Sequence, residues 1–232
     1  MRVLVTRPAA QAQATAELLR RHGHEPLVDP ILTILPVPLP PLVAGGYRAL
    51  LVTSVNTVPA LPDSLRLLPL YAVGRATAAA LRAAGWRIAG EAAGDGRSLA
   101  ALVAAALPPG PLLHPGGEDR APALAEGLAA AGFTVDQPTA YRAVAATTLP
   151  AATREALLAG ALDAVLLASP RSASIWCSLV RAAGLGQGTR RLMAACISDA
   201  VAQAAGSLAW RAVRIAVSRD QTALVASLDG PS

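Results

Sequence analysis

The sequence has 232 residues, enough for one large domain or two small ones. A net charge of +5 predicts a surface that attracts anions. All the basic residues are arginines, but they are scattered and adjacent only at Arg20–Arg21 and Arg190–Arg191, and no aromatic stacking motif accompanies them, which argues against nucleic-acid binding. The cysteines and histidines lack metal-site spacing, so we predict no metal. Without a signal segment or a long apolar run, we expect a cytoplasmic protein that does not enter membranes.

The first part of the chain is predicted to form a strand, a turn and a helix. A short apolar run over 3–7 predicts the strand, and the helix over 10–22 ends at Gly23, a residue that commonly follows a helix. Residues 26–35 are predicted as a second strand. The proline-rich segment 36–41 cannot be a central strand or a helix, so it is the first candidate linker.

The next part of the chain alternates further strands and helices. Ser54 directly follows the first of these strands, and with Asn56 it is placed to cap a helix. Gly74 lies at the next strand-to-helix turn. The elements predicted in this part are strands at 50–53, 70–73 and 87–89 and helices at 76–84 and 97–107.

Both patterns then recur. PLLHPGG at 111–117 begins the repeat of the first, and AVLLASPRSA at 164–173 begins the repeat of the second. In this internal alignment Thr77 corresponds to Val201. The elements predicted here are strands at 111–114, 133–136, 163–168, 192–197 and 212–217 and helices at 119–131, 151–159, 172–182, 199–205 and from about 221.

This alternation predicts parallel sheets with helices on both faces, an α/β fold. The repeat favours two lobes, either consecutive in the chain or with one inserted into the other. The two candidate linkers, 36–41 and 137–146, favour the inserted arrangement. The predicted domains are a discontinuous lobe, 1–35 plus 143–232, and an inserted lobe, 36–142.

Several strand ends carry residues that can bind an anion. Right-handed crossovers bring all strand-to-helix turns to one edge of a parallel sheet, where ligands bind in open α/β folds. Arg7 follows the first strand and is the best carboxylate-binding arginine, with a surface ion pair as the alternative. The hydroxyls of Ser54, Thr77, Ser169 and Ser198 lie at equivalent turns, where simple helix capping is the alternative.

Two further features lie in the repeated half. GGEDR at 116–120 is predicted to be an exposed turn, because Glu118 and Asp119 would repel an anion. His114 ends the preceding strand and is a weaker candidate ligand contact. Tyr141 lies in the second linker, where a neutral phenol can donate a proton; a purely structural tyrosine is the alternative.

Taken in order, VLVTRP, TSVNTV, AVGRATAAAL, AEGLAAAGFTV and TAYRAV resemble the uroporphyrinogen-III synthase family over nearly the whole chain. The resemblance implies two flavodoxin/Rossmann-like lobes joined by a two-stranded linker. It implies a cofactor-free carbon–oxygen lyase of tetrapyrrole biosynthesis, for which a monomer is the default expectation. The implied substrate is hydroxymethylbilane, a linear tetrapyrrole polycarboxylate. It loses water and closes with inversion of ring D, and a transient contact with hydroxymethylbilane synthase would supply it.

The resemblance also implies roles for individual residues. Tyr141 takes the position of a tyrosine proposed to assist departure of the hydroxyl, and Ser54, Thr77 and Ser169 match substrate-contacting positions. Val201 stands where the family commonly has threonine, so a hydroxyl contact is missing there unless Ser198 replaces it. The alternative function is a non-catalytic two-lobed binding or sensor module, because acid and base residues are scarce.

Overall fold

The computed structural model describes residues 1–230 and confirms the predicted α/β class, because parallel strands alternate with helices. The strands are β1 (Arg2–Val5), β2 (Glu25–Val28), β3 (Leu32–Pro36), β4 (Leu50–Val52), β5 (Leu70–Ala72), β6 (Gly90–Glu91), β7 (Pro111–Leu113), β8 (Gly116–Gly117), β9 (Thr134–Asp136), β10 (Thr139–Ala145), β11 (Ala164–Leu167), β12 (Met193–Cys196) and β13 (Ala212–Ile215). The α-helices are α1 (Ala9–Arg21), α2 (Arg75–Ala83), α3 (Gly96–Ala106), α4 (Ala123–Ala130), α5 (Ala151–Leu158), α6 (Pro170–Ala182), α7 (Asp199–Ala205) and α8 (Gln221–Ala226).

The chain divides into two compact units. Unit 1 consists of Met1–Thr33 and the chain from Val144 onward, and unit 2 consists of Ile34–Ala143. The chain therefore leaves and re-enters unit 1 within β3 and β10. These two strands are neighbours in a three-stranded sheet of order β3-β10-β8, which agrees with the predicted two-stranded linker.

Unit 1 contains a five-stranded parallel sheet of order β13-β12-β11-β1-β2. Its central strands are apolar at nearly every position and buried, as expected where helices cover both faces of a sheet. On one face Trp176 stacks on Trp210 with ring centroids 5.2 Å apart, and the predicted buried cysteines Cys177 and Cys196 lie in the same core. The other face packs against α1 and α8, which contribute Leu19 and Leu224.

Unit 2 repeats this plan with a five-stranded parallel sheet of order β6-β5-β4-β7-β9. Alternate residues of β4 belong to the two cores: Leu51 packs with Phe133, and Leu50 packs with Trp86. Among residues 1–230, the helices lack the length and apolar character that crossing a membrane would require.

Several predicted boundaries are wrong. The single strand predicted at 26–35 is two strands, because Pro30 has no amide hydrogen and Asp29 turns instead to accept bonds from the amide and hydroxyl of Thr153, at 2.8 and 2.5 Å. The short strand predicted at 87–89 lies later, at Gly90–Glu91, where a side chain on Gly90 would meet the Tyr71 ring.

Two helices also differ from prediction. The segment after Ser54 is a 3-10 helix, Val55–Ala60, because Pro59 within it cannot donate an α-helical hydrogen bond. The helix predicted from residue 119 starts at Ala123, after Pro122. The residues before it are used differently, since Gly116 and Gly117 pair with β10.

Candidate functional site

In unit 1, Arg7 is a cation held without an acidic partner. Its Nη1 donates to Oε1 of Gln221 at 3.2 Å, and Nε2 of Gln221 donates to the hydroxyl of Thr15 at 2.6 Å. Burial lowers the pKa of Arg7. Across residues 1–230 none of the ion pairs includes Arg7, so the alternative of a surface ion pair is wrong. A desolvated guanidinium fixed by a neutral amide is suited to a carboxylate brought by a ligand.

Ser169 and Ser198 occupy equivalent places but differ in hydrogen bonding. Ser169 caps α6, with its Oγ accepting from the amide of Ser172 at 3.1 Å, and the Oγ atoms of the two serines are 2.9 Å apart. Ser198 stands at the cap position of α7, but its side chain makes no capping bond. The hydroxyl of Ser169 is therefore occupied within the protein, whereas that of Ser198 has no partner among the described residues.

In unit 2, Ser54 and Thr77 follow the neighbouring strands β4 and β5. The Oγ of Ser54 accepts from the amide of Asn56 at 3.2 Å, so this serine caps a turn as the alternative interpretation expected. Thr77 lies in the first turn of α2 and is 5% exposed. Its counterpart Val201 is fully buried in the core around Trp176 and has no hydroxyl to offer.

Tyr141 lies on β10 directly opposite Gly117 of β8. The phenol ring rests against that glycine, since a Cβ added to Gly117 would stand 2.9 Å from Cζ and 3.0 Å from the hydroxyl oxygen of Tyr141. The amide of Glu118 donates to the carbonyl of Tyr141 at 3.0 Å. The ring is thus packed against the backbone of β8, and the tyrosine as a whole is partly exposed.

The turn after β7 differs from its prediction. Residues 114–117 are buried rather than exposed, and only Glu118 and Asp119 in this turn are fully accessible. The amide of Gly116 donates to the carbonyl of Pro138 at 3.2 Å, so this amide is not free to bind an anion. The side chains around this turn are further candidates for anion binding.

The side chains of His114 and Arg120 belong to a group of polar residues to which the sequence analysis gave little weight. Nε2 of His114 lies 2.9 Å from Oγ1 of Thr53, and Nδ1 lies 3.4 Å from Nε2 of Gln137. Arg120 lies beside Gly116, and its Nη2 donates to the carbonyl of Pro138 at 2.8 Å. The signal available in the sequence was a glycine pair flanked by a histidine and an arginine, directly after a strand.

The sequence model of the family uroporphyrinogen-III synthase HemD matches residues 13–226. The chain belongs to the uroporphyrinogen-III synthase family. A mutant uroporphyrinogen III synthase from the extremely thermophilic bacterium Thermus thermophilus is 23% identical, with 99% of this chain and 96% of that chain covered and a TM-score of 0.58. Uroporphyrinogen-III synthetase from Helicobacter pylori 26695 is 17% identical, with coverages of 97% and 96% and a TM-score of 0.64. At these identities the structures support the fold, and a search of curated proteins found no match.

Family membership gives the activity. A uroporphyrinogen-III synthase is a lyase of porphyrin biosynthesis that closes hydroxymethylbilane to uroporphyrinogen III, with loss of water and inversion of ring D. The alternative of a non-catalytic binding module is therefore set aside. Within unit 2 of this synthase, Tyr141, His114 and Arg120 are brought to the short strand β8. Within unit 1, Arg7, Ser169 and Ser198 follow three neighbouring strands of one sheet.

Proposed function

We propose that Tyr141 is the proton donor of this synthase and that Arg7, Ser54, Thr77, Ser169 and Ser198 contact the substrate. The observation that carries the proposal is the seating of the Tyr141 phenol against Gly117, which fixes a neutral donor at a partly exposed position. A phenol is uncharged at neutral pH and still able to give a proton.

The phenolic proton of Tyr141 passes to the hydroxymethyl oxygen of the substrate while the carbon–oxygen bond breaks. Water leaves, an azafulvene cation remains on the substrate, and a spiro-pyrrolenine follows on the way to the inverted ring D. The proton that the cationic intermediate loses as the macrocycle closes returns to the Tyr141 phenolate. Because unassisted closure gives the uninverted isomer, the main task of the protein is to hold the geometry that leads to inversion.

The polar residues of the strand ends supply that geometry. Arg7 offers a buried cation to a carboxylate, and Ser198 offers an uncommitted hydroxyl. Ser54 and Ser169 cap their turns, so their contribution comes through an ordered turn as well as through the hydroxyl. Each hydrogen bond to a charged group contributes about 1.5–3 kcal/mol, so several such contacts hold a polycarboxylate without a catalytic dyad.

Conversion of hydroxymethylbilane tests the function. The purified protein is incubated with hydroxymethylbilane, the products are oxidised, and the porphyrin isomers are separated by chromatography. We expect the type III isomer with the protein and the type I isomer in buffer alone. Formation of only the type I isomer in the presence of folded protein would contradict the function.

The surroundings of the reaction are part of the proposal. We place the enzyme in the cytoplasm, acting without a cofactor as a monomer. A transient contact with hydroxymethylbilane synthase would limit the loss of substrate to unassisted closure. Faster type III formation when both enzymes are present, at equal substrate flux, would support that contact.

A further inference from the structure

His114 is a buried imidazole whose hydrogen bonds define its protonation. Burial, followed by the positive charge of Arg120, lowers the pKa of His114 to about 4, so the ring is neutral at physiological pH. We assign Nδ1 as the acceptor, because the amide nitrogen of Gln137, which can only donate, lies 3.4 Å from it. The single ring hydrogen is then on Nε2, which donates to the hydroxyl of Thr53. The hydrogen of that hydroxyl is left to point away from His114.

Arg120 supplies a positive charge close to His114, the partner of this hydroxyl. Its Nη2 is tied to the carbonyl of Pro138, while its Nε is buried without a hydrogen-bond partner. None of the ion pairs within residues 1–230 involves Arg120, and the neighbouring Glu118 pairs with Arg142 at 3.1 Å instead. A buried donor left unpaired is costly, which is expected where a ligand supplies the missing negative charge.

The glycine between these groups allows them to approach. A Cβ on Gly116 would stand 3.2 Å from Nε of Arg120 and 3.7 Å from Nε2 of His114. Absence of a side chain thus lets the guanidinium and the imidazole lie against the same piece of backbone. Thr53, His114 and Arg120 consequently form one contiguous group in unit 2.

We propose that Arg120 and Thr53 form a carboxylate-binding subsite of unit 2, with His114 as the residue that positions the hydroxyl of Thr53. Arg120 gives the charge, and Thr53 donates the hydrogen bond. Both groups donate hydrogen bonds and neither requires a donor on the ligand, so the subsite selects an anion. Given the proposed function, that anion is one of the side-chain carboxylates of the linear tetrapyrrole substrate.

Steady-state kinetics with hydroxymethylbilane test the subsite. Arg120→Gln and Thr53→Val are expected to raise KM roughly tenfold, with a smaller change in kcat, because a charged hydrogen bond is lost. The matched control is Arg87→Gln, an exposed arginine of the same unit that precedes β6 at the opposite edge of the sheet. A KM for both Arg120→Gln and Thr53→Val equal to that of the control, in folded protein, would overturn the proposal.

Two further measurements separate a failure of the proposed function from a failure of the subsite, and a substrate carboxylate from a free anion. If wild-type protein forms only type I isomer, the proposed function fails; if it forms type III and the KM of both variants is unchanged, the subsite alone fails. Inorganic phosphate tests the other source of an anion. Inhibition by phosphate that disappears in Arg120→Gln, with an unchanged KM for hydroxymethylbilane, would assign the site to a free anion and reject the substrate carboxylate.

The positioning role of His114 is tested by a double-mutant cycle. His114→Gln is expected to raise KM in the wild-type background and to have no further effect in the Thr53→Val background, since it acts through that hydroxyl. Arg120→Lys, which keeps the charge, is expected to recover part of the lost affinity. Full additivity of His114→Gln and Thr53→Val would reduce His114 to a structural residue.

Discussion

The turns after β1 and β7 begin equivalent repeats, yet they present different chemistry. In unit 1 the arginine follows the strand closely, and Arg7 is held by the amide of Gln221. In unit 2 the strand ends at a neutral histidine, His114, and the arginine comes later as Arg120, held by the carbonyl of Pro138. The repeat therefore keeps a turn at the same place after the strand in both units, while different residues occupy that turn.

The two arginines of these turns nevertheless share an environment. Burial lowers the pKa of both Arg7 and Arg120, and neither has an acidic partner among residues 1–230. Unit 2 adds Tyr141, whose negative form would favour the charged form of Arg120. In our proposal, anion binding is therefore shared by both units, and proton donation belongs to unit 2.

The largest expected effect concerns the proposed proton donor, which only unit 2 contains. Tyr141→Phe removes the proposed proton donor, so kcat should fall about a hundredfold with little change in melting temperature. Tyr47→Phe is the matched control, because it removes a hydroxyl that bonds Asp136 at 2.5 Å without touching β8. Unchanged kinetics in Tyr141→Phe would remove Tyr141 from the mechanism.

The histidine of the β7 turn should give unit 2 a distinctive response to acid. With a pKa of about 4 in the folded protein and about 6.5 when unfolded, His114 binds its proton first in the unfolded chain. Its contribution to stability is present above pH 6.5 and is lost as the pH falls towards 4, about 2 kcal/mol of it by pH 5. Urea unfolding at pH 8 and pH 5 should show a smaller acid loss in His114→Gln than in wild type. Equal losses would contradict the buried neutral imidazole.

Exchanging each arginine tests whether both units bind carboxylates. Arg7→Gln should raise KM for hydroxymethylbilane roughly tenfold, and Gln221→Leu should raise it less, because that amide only orients the guanidinium. The exposed Arg20→Gln serves as control in unit 1. In the double variant with Arg120→Gln the two effects should add as free energies, since the residues share no partner. Strong coupling would mean that one carboxylate is shared.

The smallest effects distinguish the two serines of unit 1. Ser169→Ala breaks the cap of α6 and should lower the free energy of unfolding by about 1 kcal/mol. Ser198→Ala removes no capping bond, so it should leave stability unchanged and raise KM a few-fold. Chemical denaturation and steady-state kinetics on the same preparations measure both. The reverse pattern would assign substrate contact to Ser169 alone.

The fold was readable because apolar runs and repeats reflect burial directly. Runs such as Ala164–Leu167 are buried at every position, and Gly23 ends α1 with a positive φ of 75°, as its sequence position indicates. Boundaries were less readable where a tertiary contact decides them. Gly90 pairs in β6, where the Tyr71 ring leaves no room for a side chain. The sequence around either residue does not indicate this contact.

The candidate site was readable only in part, for a related reason. Arg7 and Ser198 could be placed at strand ends, because a parallel sheet brings those ends together. The contact between Thr53 and His114 joins residues 61 positions apart, and it depends on β4 and β7 being neighbours. The occupied state of Ser169 depends on the rotamers of two serines, which composition and spacing do not specify.

The nesting of the chain has a consequence for the order of its synthesis. Strand β1 lies between β2 and β11 in its sheet, and Val3 pairs with Ala164. A growing chain therefore exposes an apolar strand until the ribosome has made the whole of residues 34–143 and the strand beyond. Because those residues are contiguous, unit 2 is able to fold first. We expect unit 1 to fold last, when β11 becomes available to pair with β1. A chaperone that binds apolar strands in nascent chains would therefore bind β1.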